Sequence, residues 1–212
     1  MILKRGFYNR NTLNVAKDLL GCFLIRKIGN KIIKAMITET EAYRGTDDLA
    51  SHASRGRTPR TELMFGEAGH AYIYMIYGMY HCFNIVTEKK DFPAAVLIRG
   101  VKIVNDSPFK KGRGSKNRGI YKNLKIPLDP PFEKGETIEL NGPGKLCKFL
   151  KIDRKLNGLD VTKGKKIWIA SPRLVRLGRK KLIRKNIVAS KRIGIDYAKH
   201  CKEYLWRFTL SS

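Results

Sequence analysis

Acidic side chains are scarce in this chain. Across 212 residues, 18 Asp and Glu face 44 Lys and Arg, a formal net charge of +26. A field of that sign favours polyanions, and nucleic acid is the commonest of these inside cells. Long apolar runs are also missing: nothing reaches the roughly 18 residues that a membrane span requires, so no membrane association is expected. The first 27 residues contain Asp18 and no small-residue cleavage site, which argues against a secretory signal. The expected setting is cytoplasmic, at the nucleoid in a prokaryote or in the nucleus of a eukaryote. Only four cysteines occur, Cys22, Cys82, Cys147 and Cys201, and none forms a C-x-x-C pair. In a reducing compartment they read as buried thiols. The neighbours His81 and Cys82 would point to opposite faces of a strand, a poor ligand pair. The H-x-E and P-C-x-x-C signature of zinc deaminases is lacking as well. No metal and no cofactor are therefore expected. G-x-S-x-G, the P-loop and the dinucleotide-binding fingerprint do not appear either.

What is present is a core. Hydrophobic residues make up 42% of the chain, too many for a disordered basic tail, and the length can fill one domain. Asn11 and Thr12 can cap a helix that carries Leu13, Ala16, Leu19 and Leu20 and ends at Gly21. Residues 22–28 and 31–43 read as strands joined by a tight turn at Gly29-Asn30. A polar, Arg-rich loop over 44–61 holds His52. Residues 71–77 have strong β propensity; Gly78-Met79-Tyr80 reads as a turn, and 81–87 as the returning strand. Residues 94–104 form another apolar strand, with Arg99 inside it. The texture then changes. Residues 105–141 hold four of the eight prolines, and seven basic residues lie between Lys110 and Lys125 with no acid among them. This segment reads as a basic loop or insertion. A short helix is predicted through Leu150 and a strand over 165–170. Residues 173–192 carry nine basic residues and no acid. With no internal repeat, the pattern predicts one α+β domain over 1–212 with a basic excursion.

The few acids cluster. Alternation along a strand would put Glu39, Glu41 and Tyr43 on one face. Two carboxylates that close raise each other's pKa, and a partly buried one could take a proton from water near neutral pH. The plainer alternative is that both pair with Arg or Lys. Tyr72, Tyr74, Tyr77 and Tyr80 crowd into nine residues around a turn. An aromatic at an exposed tip calls for a partner, and on a basic protein stacked bases are the natural one. The alternative is an aromatic core strand whose hydroxyls reach the surface.

In this order, Thr38-Glu39-Thr40-Glu41-Ala42-Tyr43, His52, Thr58-Pro59-Arg60, Met64-Phe65, the run Tyr72 to Tyr80 with Asn84, and Leu97-Ile98-Arg99 resemble the 3-methyladenine (alkyladenine) DNA glycosylase family. Gly142-Pro143-Gly144-Lys145-Leu146-Cys147 and Arg192-Ile193-Gly194-Ile195-Asp196-Tyr197-Ala198 extend the resemblance, which spans about residues 5–208 outside the basic segment. The chain departs from the pattern at Thr61, where the family would have Asn after the Arg. The resemblance implies a single mixed domain with a curved antiparallel sheet, surrounding helices and a protruding β-hairpin that enters the minor groove of double-stranded DNA. It also implies a monofunctional glycosylase that flips out alkylated or deaminated purines and leaves an abasic site. Carried over by position, Glu41 would activate the attacking water and Arg99 would help to place it. Tyr43, His52 and Tyr74 would wall the base pocket, and Asn84 would bar the 2-amino group of guanine. Tyr77 would fill the gap in the duplex. One flipped base needs one copy, so a monomer without an obligatory protein partner is expected. The rival reading is a non-catalytic basic RNA-binding or ribosome-associated protein, which would have no use for Glu41.

Overall fold

A capped helix opens the described structure. In the computed structural model, which describes residues 1–104, 137–172 and 186–211, a short helix α1 (Arg5–Tyr8) leads into α2 (Thr12–Leu19). The Asn11 side chain accepts hydrogen bonds from the backbone N–H groups of Leu13 and Asn14, satisfying two donors that the first turn cannot. The buried face of α2, with Val15, Ala16 and Leu19, lies on the sheet, where Thr40 donates to the Ala16 carbonyl at 3.0 Å. Strands β1 (Phe23–Ile28) and β2 (Lys31–Arg44) follow as a hairpin, with Ile28 opposite Lys31 across the expected turn.

The pair at the centre of the sheet is β2 with β5 (Ala94–Val104), antiparallel from Arg44 opposite Ala94 to Met36 opposite Lys102. Its register shifts on either side of Glu39. A bulge there needs room: a Cβ on Gly100 would sit 3.0 Å from the Glu39 Cβ and 3.1 Å from the Thr38 hydroxyl, so only glycine lets β5 pass this close. Between them in sequence come β3 (Ala71–Ile76) and β4 (Tyr80–Val86), paired as a hairpin whose second strand joins β5. The turn falls one residue earlier than the sequence suggests. Tyr77 and Gly78 are its central residues, with φ of 50° and 68°. Met79 N–H closes it on the Ile76 carbonyl at 3.2 Å, and Tyr80 already belongs to β4. Gly78 satisfies the second positive-φ position that such hairpin turns demand.

The expected loop over 105–141 needs correcting at its end. Residues Thr137–Asn141 form β6, paired with Gly100–Val104 of β5; the period-2 placement of Ile138 and Leu140 is a strand signal that the surrounding Pro-rich, basic texture masks. The rest of that segment, 105–136, lies outside the described residues, as do 173–185 of the second basic stretch. Next comes α3 (Pro143–Phe149), which starts on a proline at its first turn. It is followed by β7 (Ile167–Ala170) against β1, then by β8 (Ile187–Ser190) and β9 (Arg207–Leu210), which pair with each other. β9 also borders β2 at Glu39–Glu41. Among the described residues these nine strands form one antiparallel sheet, a mixed α+β fold. Its core gathers Leu19, Leu24, Ile37, Phe83, Ile98, Leu146, Ile169 and Phe208 between the sheet and the helices. No helix among the described residues is long and apolar enough to cross a membrane.

Candidate active site

Where β2 and β5 run together, the far end of the β3–β4 hairpin, the start of α3 and the loop after Arg192 enclose a cleft of about 470 Å³. Glu41, Arg99, Tyr43, His52, Tyr74, Asn84 and Tyr77 all line it. Seven residues drawn from five separate stretches of sequence thus converge on one cavity.

Glu41 sits on the floor, with no exposed surface. One carboxylate oxygen accepts the Tyr43 hydroxyl at 2.8 Å and the other the Ile193 backbone N–H at 3.0 Å. Each oxygen has a second lone pair, so the group can still accept from a third partner in the cleft. Burial pushes its pKa up, against the pull of the Arg99 charge and of the hydrogen bonds from Ile193 and Tyr43. Arg99 approaches Glu41 at 3.6 Å but donates through Nε to Glu39 at 2.9 Å. Glu39 also accepts from Arg207 at 2.5 Å. The two carboxylates therefore do share a face, as strand alternation predicts. Glu39 is bound by two guanidinium groups, whereas Glu41, with Arg99 at 3.6 Å, takes its hydrogen bonds from two neutral donors.

The walls are aromatic. Tyr74 meets His52 edge to face at 4.5 Å between centroids, and Tyr72 lies 5.5 Å from Tyr74. Arg60 reaches His52 Nε2 at 3.2 Å. Guanidinium can only donate, so Nε2 accepts, the ring proton sits on Nδ1, and Nδ1 donates to the Tyr72 hydroxyl at 2.9 Å. Burial, with the charges of Arg60 and Arg55, lowers the His52 pKa to about 4. The wall is thus uncharged at neutral pH. His52 owes its position to a short 3₁₀ turn (His52–Arg55) capped by Ser51. The loop beyond it is tied by the Thr61 hydroxyl, which accepts from Thr58 N–H at 2.8 Å and donates to the Gly56 carbonyl at 2.9 Å. Threonine thus fastens the loop where the family pattern would have asparagine. Asn84 is buried and donates its amide to the Tyr72 carbonyl at 3.0 Å.

Tyr77 is different in kind. Its side chain stands in solvent, 85% exposed, beside exposed Met75, Met79 and Tyr80. Tyr80 braces the hairpin: its ring packs so closely on Gly144 at the start of α3 that an added Cβ would lie 3.0 Å from it.

Three further residues at or behind the cleft had no role of their own in the sequence reading. Tyr72 shares strand parity with Tyr74, which was the available signal for a place in the pocket. The Ile193 N–H is a backbone group and left no signal. Arg192 opens the second resembling stretch and also ends a basic run, with nothing to mark it as enclosed; its side chain is fully buried against Asp48.

Known proteins resemble this chain along nearly its whole length. A family model described as methylpurine-DNA glycosylase matches residues 6–212. A protein of Desulfitobacterium hafniense is 41% identical over 98% of this chain and 94% of its own length. One from Clostridium perfringens strain 13 is 41% identical over 98% and 95%, and one from Clostridium novyi 44% over 97% and 93%. Each of the three is named as a candidate 3-methyladenine DNA glycosylase.

Proposed function

The chain belongs to the methylpurine-DNA glycosylase family, and we propose that it excises alkylated or deaminated purines from double-stranded DNA by base flipping and attack of water. The observation that carries this reading is Glu41: a fully buried carboxylate, hydrogen-bonded twice and left with accepting capacity, at the bottom of an aromatic-walled cleft.

A purine stacked in a duplex is out of reach, so it must rotate out at a cost of a few kcal/mol. Tyr77, exposed at the hairpin tip, suits the wedge that fills the vacated space and offsets part of that cost. The flipped base would stack among Tyr43, His52, Tyr72 and Tyr74. Aromatic faces tolerate many ring substituents, and a cationic alkylated purine is attracted to them further. A neutral His52 adds no repulsion to such a base. Asn84 at the floor would exclude the 2-amino group of undamaged guanine.

As the N-glycosidic bond breaks, positive charge grows on the sugar, and the Glu41 carboxylate would stabilise it electrostatically. The same group would accept the proton of the attacking water, held also by Arg99. Water as nucleophile leaves an abasic site with the backbone intact, and requires neither a lysine Schiff base nor a metal.

The decisive experiment is single-turnover excision from a duplex carrying one hypoxanthine or ethenoadenine, and from methylated DNA, read by alkali cleavage in chelator. The wild type is expected to excise at least one of these lesions. Glu41→Gln is expected to bind lesion DNA as well while losing 10²-fold or more in rate, roughly the scale of general-base catalysis. A mutant as fast as the wild type would sink the base assignment, and a wild type inactive on every lesion would sink the enzyme.

A further inference from the structure

Both donors that hold Glu41 lean on one side chain that contacts neither Glu41 nor the cleft. Arg192 is enclosed completely, as is Asp48 opposite it. Its two terminal nitrogens meet the two Asp48 oxygens at 2.6 and 2.7 Å in the bidentate arrangement that only guanidinium can make. The same nitrogens donate to the carbonyls of Ala42 at 2.9 Å and Cys201 at 3.2 Å. The flat cation contacts two rings, with its carbon 4.8 Å from the Tyr43 centroid and 5.1 Å from that of Trp206. The consequences converge on Glu41. The Tyr43 ring that Arg192 contacts carries the hydroxyl bonded to one Glu41 oxygen, and Ile193, the next residue in the chain, supplies the N–H bonded to the other. The carbonyl held on Ala42 belongs to the residue between Glu41 and Tyr43.

We infer that Arg192 is a positioning residue for the reaction: clamped by Asp48 and packed against Tyr43 and Trp206, it fixes the two donors that aim the Glu41 carboxylate into the cleft. This rests on the excision reading above and adds to it a device in which a buried cation acts through its neighbours. Lysine would keep the charge but lose the bidentate pair and the flat contact with both rings. A merely structural ion pair predicts something different, namely a loss of stability with the active site unaltered once the protein is folded.

The test measures single-turnover excision, lesion-DNA affinity and the pH dependence of the rate for wild type and Arg192→Lys, each checked for folding. Glu41 is faced by Glu39 and Tyr43 on its own strand, Arg99 on β5, Tyr74 on β3, Cys82 on β4 and the Ile193 N–H, and it also feels the charge of Arg192, which lysine keeps. Of the others, only Tyr43 and Ile193 depend on the clamp, and both lower the Glu41 pKa. Loosening them should therefore move the acid limb of the rate profile to higher pH. The expected result is a rate about 10- to 100-fold lower, the scale of a small misplacement of a catalytic group, with affinity kept and the acid limb raised. A wild-type rate, or a slower rate with the acid limb unmoved, would overturn the inference. If Arg192→Lys does not fold, Trp206→Leu carries the same readouts, since it leaves the ion pair and removes one ring. Failure of the excision reading itself would show separately, as a wild type that cleaves no lesion.

Discussion

The floor of the cleft and the tip of the β3–β4 hairpin are built on opposite principles. Glu41 on the floor is buried, twice hydrogen-bonded and surrounded by strands on both sides. Tyr77 at the tip is 85% exposed and sits in a backbone conformation with φ of 50°, which a tyrosine adopts reluctantly. A group that must meet a reacting atom within a fraction of an ångström belongs on the stiffest part of the fold. A group that must enter a duplex belongs where nothing already covers it. Each position carries a local penalty, electrostatic on the floor and conformational at the tip, as expected where residues are kept for function and not for stability.

The comparison sharpens first within the floor itself. Glu39 and Glu41 share a face, but Glu39 anchors Arg99 and Arg207 while Glu41 accepts from Tyr43 and Ile193. If Glu39 serves chiefly to hold Arg99 against the cleft, Glu39→Gln should slow single-turnover excision about tenfold without weakening lesion binding, in the range expected when a support for a catalytic group is loosened. An unchanged rate would reduce Glu39 to an ordinary ion pair and leave Arg99 held by the rest of its surroundings.

The tip should fail in the other sense. Tyr77→Ala is expected to retain flipped lesions less well and to excise them several-fold more slowly, because the vacated space in the stack is no longer filled. Its melting temperature should stay within about 2 °C of wild type, since an exposed side chain contributes little to the fold. Equal excision of every lesion would separate the hairpin from base flipping altogether.

How much of this could be read beforehand follows the same division. The strands that carry the site announced themselves through alternation and β-branched or aromatic runs, and β5 falls on Ala94–Val104 as the sequence suggests. The seven candidate residues were legible because side-chain types in a fixed order resemble a family, and the fold brings all seven to one cleft. What stayed hidden was whatever depends on backbone or on burial. The Ile193 N–H has no letter of its own. Arg192 stands in a stretch that resembles the family, but its letter does not tell an enclosed cation from a solvated one; its enclosure with Asp48 does. The bulge at Glu39 is permitted by Gly100, far along the chain, a relation no local window contains. β6 was lost in the texture of its neighbours, since five residues of alternation are a weak signal beside a run of prolines and lysines.

The penalty on the floor has a sign that can be measured. Burial raises the Glu41 pKa above its ordinary value of 4.5, despite Arg99 and the two hydrogen bonds. Folding therefore disfavours the ionised form. Any such group gives its full stability below the unfolded pKa and loses it as the pH rises through the folded one. As the pH rises through the folded pKa the wild type takes on this penalty, whereas a glutamine, never charged, takes on none; its amide oxygen can accept from the Ile193 N–H while its amide nitrogen donates to the Tyr43 hydroxyl oxygen. Glu41→Gln should consequently gain in melting temperature over the wild type as the pH rises, with the gap closing as the pH falls below the ordinary carboxylate range. Tyr77→Ala, which alters no titrating group, should show no such convergence. If Glu41→Gln instead loses in melting temperature against the wild type as the pH rises, the attraction of Arg99 outweighs desolvation, and the floor is held together by the same charge that the reaction uses.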